Sequence, residues 1–271
     1  MSNQGTADTL NDREKIIEVK DLHKSYGNKE ILKGISFDIY KGDVISIVGP
    51  SGSGKSTILK CINFLERPTS GDILFHGENV GKTEKNGKIV NVKEKDLLKY
   101  RAKVGMVFQH FNLFPHMTVM ENIIEAAVYV NNMNKNEAID EAKELLNKVL
   151  LYDKENSYPS QLSGGEQQRV AIARALIMHP EVMLFDEATS ALDPETVGEV
   201  LKTMGDLARD GMTMVVVSHE MQFVKESSKE TLFLYDGTIF ERGRTEDVLN
   251  SQKPECQRFF SRITGYREGN N

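Results

Sequence analysis

A chain of 271 residues, 39% hydrophobic and 27% charged, can bury a sizeable core, which excludes the disordered and fibrous classes. Its formal net charge of −6 argues only weakly against nucleic acid as the main partner, and ordinary solubility accounts for it as well. Two distant cysteines, Cys61 and Cys256, have neither metal-ligand nor redox spacing and read as buried or incidental thiols in a reducing cytosol.

Residues 1–14 are polar, lack the apolar stretch of a secretory signal, and read as a disordered lead-in. Strand-like runs follow at Ile16–Val19, Ile35–Ile39 and Val44–Val48. The second alternates apolar and polar residues, as a half-buried strand does; the third is almost wholly apolar, as a strand covered on both faces is. Thr57–Phe64 reads as helix. Residues 76–100, rich in lysine and with Gly77, Gly81 and Gly87, read as a surface hairpin or loop insertion. Val104–Phe108 reads as strand and Thr118–Val130 as helix. Ala138, Ala142, Leu145 and Val149 share one face of a further helix, so residues 112–163 form a mainly helical block. Strand and helix then alternate: Val182–Phe185, 194–208, Thr213–Val217 and Glu220–Lys225. Leu232–Tyr235 and Thr238–Glu241 make a hairpin around Asp236-Gly237. The alternation predicts an α/β layer fold with a mostly parallel sheet. No apolar run approaches the roughly 20 residues that span a bilayer.

Gly49-Pro50-Ser51-Gly52-Ser53-Gly54-Lys55-Ser56 fits G-x-x-x-x-G-K-[ST] between an apolar strand and a helix, with Thr57 following. Glycines let the backbone turn several N–H groups onto one anion, and the helix start adds its dipole. Lys55 supplies a cation for β- and γ-phosphates, and the Ser56 hydroxyl can ligate Mg²⁺. The apolar strand Val182–Phe185 ends in Asp186 and Glu187. Ligands sit beyond the carboxyl ends of such strands. Asp186 is thus a candidate for the Mg²⁺ shell, and Glu187 for orienting and deprotonating a water. An acid directly after the metal-holding aspartate favours hydrolysis over transfer to a second substrate. Together these residues point to nucleotide binding and favour hydrolysis; the loop by itself leaves kinases, GTPases and many ATPases open.

Leu162-Ser163-Gly164-Gly165-Glu166-Gln167-Gln168-Arg169 opens a helix over Gln167–Met178 with a capping serine and two glycines, a second anion-seeking helix start. One nucleotide hardly needs both from one chain. The run LSGGEQQR closely resembles the signature of ATP-binding cassette (ABC) proteins, and companion motifs follow the family order. Tyr26 in DLHKSYG stands where the family stacks an aromatic ring on adenine. Gln109 in MVFQHFN matches the Q-loop, Ser190-Ala191-Leu192-Asp193 the D-loop, and His219 in VVVSHE the switch histidine. The likeness covers about residues 15–250, which it makes one nucleotide-binding domain, with residues 251–271 as a tail.

The resemblance implies a P-loop NTPase fold: a RecA-like core, an antiparallel β-subdomain and an inserted helical subdomain over about 112–163. It implies a head-to-tail dimer in which each ATP lies between one copy's phosphate loop and Ser163, Gly164, Gly165 and Glu166 of the other. Glu187 would polarise water, His219 would contact the γ-phosphate, and Gln109 would touch Mg²⁺ and link the site to a membrane partner. FQHFNLFPHMTVMENI (108–123), NVGKTEKNGKIVNVKEKDLLKYR (79–101) and, more loosely, KPECQRFFSRI (253–263) resemble the ATPases of polar, possibly basic, amino acid uptake systems. Such a subunit works peripherally at the cytoplasmic face of the cell membrane. Its partners are two integral membrane permease subunits and, indirectly, an extracytoplasmic solute-binding protein. The ATP motifs alone leave open an extruder subunit for lipid or peptide. Phe111, Leu113, Phe114, His116 and Met117 are expected either to form a docking groove for a permease helix or to pack the helical block, in some mixture.

Overall fold

The computed structural model describes residues 13–85 and 87–268, the last five by backbone alone. The expected lead-in lies outside the described residues except at Arg13 and Glu14, and these two are anchored. The Glu14 carbonyl accepts from the Lys41 N–H at 2.9 Å, its carboxylate pairs with Lys41 Nζ at 2.9 Å, and Arg13 pairs with Asp43.

A six-stranded sheet forms the centre. Its strands are β3 (Val44–Val48), β8 (Val104–Val107), β9 (Val182–Asp186), β10 (Thr213–Val217), β11 (Glu230–Tyr235) and β12 (Thr238–Arg244), in the order β12-β11-β3-β10-β9-β8. All neighbours are parallel except the β11–β12 hairpin. That hairpin turns at Asp236 and Gly237, both at positive φ (46° and 77°), the geometry a two-residue turn needs. Every residue of β3, β9 and β10 is buried, because both faces are covered.

Two-residue periodicity divides the strand side chains between two layers. Ile45, Ile47, Leu184, Val215 and Val217 meet α1 (Lys55–Ile62) and the antiparallel sheet. Val44, Met183, Phe185, Met214 and Val216 meet α5 (Gly164–Leu176), α6 (Pro194–Arg209) and α7 (Met221–Ser227). The antiparallel sheet runs β2-β1-β4-β5, with β1 Lys15–Tyr26, β2 Lys29–Tyr40, β4 Ser70–Phe75 and β5 Glu78–Asn79. β1 and β2 are longer than expected. A register shift between Val19 and Leu22, with Asp21 at φ 46°, breaks the alternation in β1 midway.

The insertion needs a larger correction. β6 (Lys82–Lys85) and β7 (Lys88–Asn91) form the expected exposed hairpin. From Glu94 onward, however, the chain is helix α2 (Glu94–Lys103). α2 is anchored by buried Leu97 and Tyr100, and the Tyr100 hydroxyl donates to the Ile62 carbonyl at 2.7 Å. Only two apolar anchors among many charges hid this helix.

α3 (Val119–Tyr129) and α4 (Lys135–Lys148) pack with α5 around a separate apolar cluster, the helical block. Ala138, Ala142 and Val149 are buried as expected; Leu145 is half-buried, and Leu146 takes the core position beside it. Leu113 packs against this cluster while Phe114 remains 44% exposed. After α8 (Thr245–Leu249), α9 (Pro254–Glu268) folds back on the core. Cys256 and Phe260 are buried against Val48 and Phe233. No described helix is long and apolar enough to cross a membrane.

Candidate functional site

The phosphate loop leaves the buried end of β3 and enters α1. Gly49, Gly52 and Gly54 have φ of 146°, 78° and 104°. A Cβ on Gly49 would stand 2.1 Å from the Leu234 carbonyl oxygen, and one on Gly54 would stand 2.7 Å from Leu32 Cδ2. Both positions therefore admit only glycine, for conformation and for space. Lys55 is 4% exposed. Its ammonium donates to the carbonyls of Gly49 (3.0 Å) and Pro50 (3.1 Å) and stands 4.0 Å from Glu187 Oε1. Burial lowers its pKa, and Glu187 and Asp186 oppose that shift.

β9 brings Asp186 and Glu187 to the same end of the sheet. Asp186 is buried near Ser56, and burial pushes its pKa up, with Ser56 opposing that shift. Its Oδ1 is buried without a hydrogen-bond partner among the described residues, as is Ser53 Oγ. An orphaned carboxylate oxygen beside the Ser56 hydroxyl is a hard-oxygen pair that suits Mg²⁺, which otherwise takes its ligands from phosphates and water. Glu187 adopts left-handed backbone (φ 49°), a strain on the order of 1 kcal/mol. Its N–H donates to the Val217 carbonyl at 3.0 Å, tying the bend to β10. His219, just beyond β10, places Nε2 at 3.3 Å from Glu187 Oε1. That hydrogen bond, above all, holds the Glu187 carboxyl below its usual range; Lys55 adds to it and burial opposes it.

Among the described residues, a cleft of about 450 Å³ is lined by Tyr26, Lys29, Ile31, Ser51, Gly52, Gly54, Lys55, Ser56, Thr57 and Glu187. The fold thus gathers the loop, the strand-end glutamate and the 45%-exposed Tyr26 around one space. Lys29 and Ile31 were missed, since nothing in β2 sets them apart from ordinary strand residues. Pro50, Ser51 and His219 also border a second cavity, of about 480 Å³, against α9.

The signature residues and Gln109 lie outside this lining. Gln109 is exposed beyond β8, where Gln168 Nε2 donates to the preceding Phe108 carbonyl at 3.0 Å. α5 begins at Gly164, three residues earlier than expected. Ser163 and Glu166 form a reciprocal capping box, with Glu166 N–H to Ser163 Oγ at 3.2 Å and Ser163 N–H to Glu166 Oε2 at 2.8 Å. A Cβ on Gly165 would stand 2.8 Å from Thr196 Cβ, so this glycine lets α5 approach α6 closely. Ser163 is exposed and caps the start of α5 away from the cleft that the phosphate loop lines. Ser190, Ala191, Leu192 and Asp193 run from the Glu187 bend to α6. All but half-buried Leu192 are exposed, and the Ser190 hydroxyl donates to the Glu187 carbonyl at 2.9 Å.

A family model described as ABC transporter matches residues 32–190. The arginine/ornithine transport ATP-binding protein AotP of Pseudomonas aeruginosa is 53% identical over 90% of this chain and 97% of its own. The L-cystine import ATP-binding protein TcyC of Bacillus subtilis is 53% identical over 92% and 98%. The histidine/lysine/arginine/ornithine transport ATP-binding protein HisP of Escherichia coli is 52% identical over 90% and 96%. A solved dimeric ATP-binding cassette in a post-hydrolysis state, bound to ADP and Pi, superposes with a TM-score of 0.73. It is 35% identical and covers 85% of this chain and 99% of that one. With a family model matched over 32–190 and relatives at more than 50% identity along nearly the whole chain, the chain carrying this glycine-built loop and these paired strand-end acids belongs to the ABC transporter family.

Proposed function

We propose that this chain is the ATP-hydrolysing subunit of an importer for polar amino acids, acting peripherally at the cytoplasmic face of the cell membrane. The observation that carries the reading is the cleft in which the phosphate loop, Lys55 and Ser56 face Glu187. Tyr26 stacks on the adenine. The N–H groups of the loop and the Lys55 ammonium hold the phosphates, aided by Ser53 and Thr57. Ser56, Asp186 and Gln109 would hold Mg²⁺, which would supply positive charge to neutralise the phosphates. Glu187 takes the proton of the attacking water, and His219 orients Glu187 and contacts the γ-phosphate. Ser163, Gly164, Gly165 and Glu166 cap the nucleotide of a second copy, and residues 190–193 cross between the copies. The exposed, capped helix start, set apart from the cleft that the phosphate loop lines, supports that pairing. The dimeric state of the solved cassette supports it too.

Each ATP in such a dimer needs both copies. Specific activity of the isolated subunit is therefore expected to fall on dilution, so that the rate rises faster than linearly with protein concentration. Constant specific activity across a hundredfold dilution would remove the shared site.

Relatives named for arginine, ornithine, histidine, lysine and cystine support amino acid uptake, and give no support to a lipid or peptide extruder. Two permease subunits form the channel, and a solute-binding protein selects the solute. Exposed Phe114 and His116 offer a contact for the permease. Vesicles carrying this chain with its permease and binding protein are expected to take up a labelled basic amino acid or cystine when ATP is present on the cassette side. ATP-driven export of lipid or peptide, with no amino acid uptake, would reverse the assignment.

A further inference from the structure

We propose that Lys24 and Glu66 are positioning residues for the base-binding ring of Tyr26, an inference that rests on the reading that Tyr26 stacks on adenine. Lys24 lies in β1 two residues before Tyr26 and is 8% exposed, unusual for a lysine. Its ammonium donates to Glu66 Oε2 at 2.8 Å and to the Arg67 carbonyl at 2.9 Å. It also stands 4.7 Å from the centroid of the Tyr26 ring. Two of its three N–H donors are thus fixed by the segment after α1, and the cation is presented to one face of the ring. Glu66, through its ion pair with Lys24, holds that ammonium where it meets the ring.

A lysine placed only to tie β1 to residues 66–67 needs no aromatic neighbour. Here the same ammonium spans the tie and the ring. A cation against one face is attracted to the ring quadrupole, fixes the ring orientation and leaves the opposite face for a flat π-system. An otherwise half-exposed tyrosine would lose rotamer freedom on stacking; a ring already held loses less. The platform thus acts on the nucleoside base and not on the phosphates.

The experiment uses the full chain and two probes that are not hydrolysed: ADP, and pyrophosphate as the base-free control. Lys24→Met is expected to weaken ADP binding about fivefold and to leave pyrophosphate binding unchanged. Glu66→Gln, which keeps the side-chain shape, is expected to weaken ADP in the same direction. In a Tyr26→Leu chain, Lys24→Met is expected to add no further loss, as coupling through the ring requires. The proposal is overturned if Lys24→Met leaves ADP affinity intact, weakens pyrophosphate as much as ADP, or adds its full effect in the Tyr26→Leu chain. If Tyr26→Leu alone leaves ADP binding at the wild-type level, the stacking reading itself fails. Weakening by Tyr26→Leu but not by Lys24→Met rejects the platform and keeps the stacking.

Discussion

Glu187→Gln is expected to keep ATP bound and to lower turnover by at least ~100-fold, the usual contribution of a positioned base. Glutamine has nearly the shape of glutamate and can still accept from His219 Nε2, now 3.3 Å from Glu187 Oε1. It cannot take a proton from water. The substitution also removes a negative charge 4.0 Å from the Lys55 ammonium, so the phosphates meet a more positive site and binding does not suffer. With closure intact and hydrolysis blocked, the ATP-bound dimer should accumulate, visible as a doubled mass by light scattering at saturating ATP. The His219 contact also determines the pH behaviour. A carboxyl held below its usual range stays charged as pH falls through that range. The base form is then present throughout the neutral region, and the turnover deficit should be the same at pH 6.5 and pH 8. Phosphate release within about fivefold of wild type would take Glu187 out of its role.

The parts of this site that were legible in the sequence are those whose signal is contiguous. β3, β9 and β10 are legible because each is a nearly continuous apolar run, and the phosphate loop because its glycines and Lys55 lie within one short run. What was missed depends on partners far along the chain. Glu187 and His219 lie 32 positions apart, so motifs give the members without the contact; Lys24 and Glu66 lie 42 positions apart, and no motif pairs them. α9 was an unassigned tail because Cys256 and Phe260 find their apolar neighbours on β3 and β11. The start of α5 was misplaced for a local reason: Gly164 and Gly165 read as loop residues. The Ser163–Glu166 box compensates for their poor helix propensity, and Gly165 is required by the packing on Thr196. Asp21, at positive φ inside β1, similarly cut a 12-residue strand to its first few residues.

Lys55→Ala should act on the opposite half of the cycle. In the free protein the buried ammonium is held by the carbonyls of Gly49 and Pro50, with Glu187 nearby. Those carbonyls bend the loop around the position of the phosphates, so the side chain both shapes the cradle and supplies its charge. Removing it leaves Asp186 and Glu187 facing a polyanion without a cation between them, and leaves two carbonyls to find new partners. Losing one member of a desolvated charge pair costs roughly 2–5 kcal/mol. The lower end of that range already weakens ATP binding by over tenfold, and ~100-fold corresponds to about 2.7 kcal/mol. Lys55→Met, which keeps most of the stem, separates the two contributions. If charge dominates, methionine binds as poorly as alanine while its thermal unfolding stays close to wild type. If cradle shape dominates, methionine recovers much of the affinity. Equilibrium binding of a fluorescent ATP analogue, set beside melting curves of the three proteins, distinguishes these outcomes. Affinity within about threefold of wild type in both variants would mean that the backbone N–H groups and Ser56 hold the phosphates without the lysine.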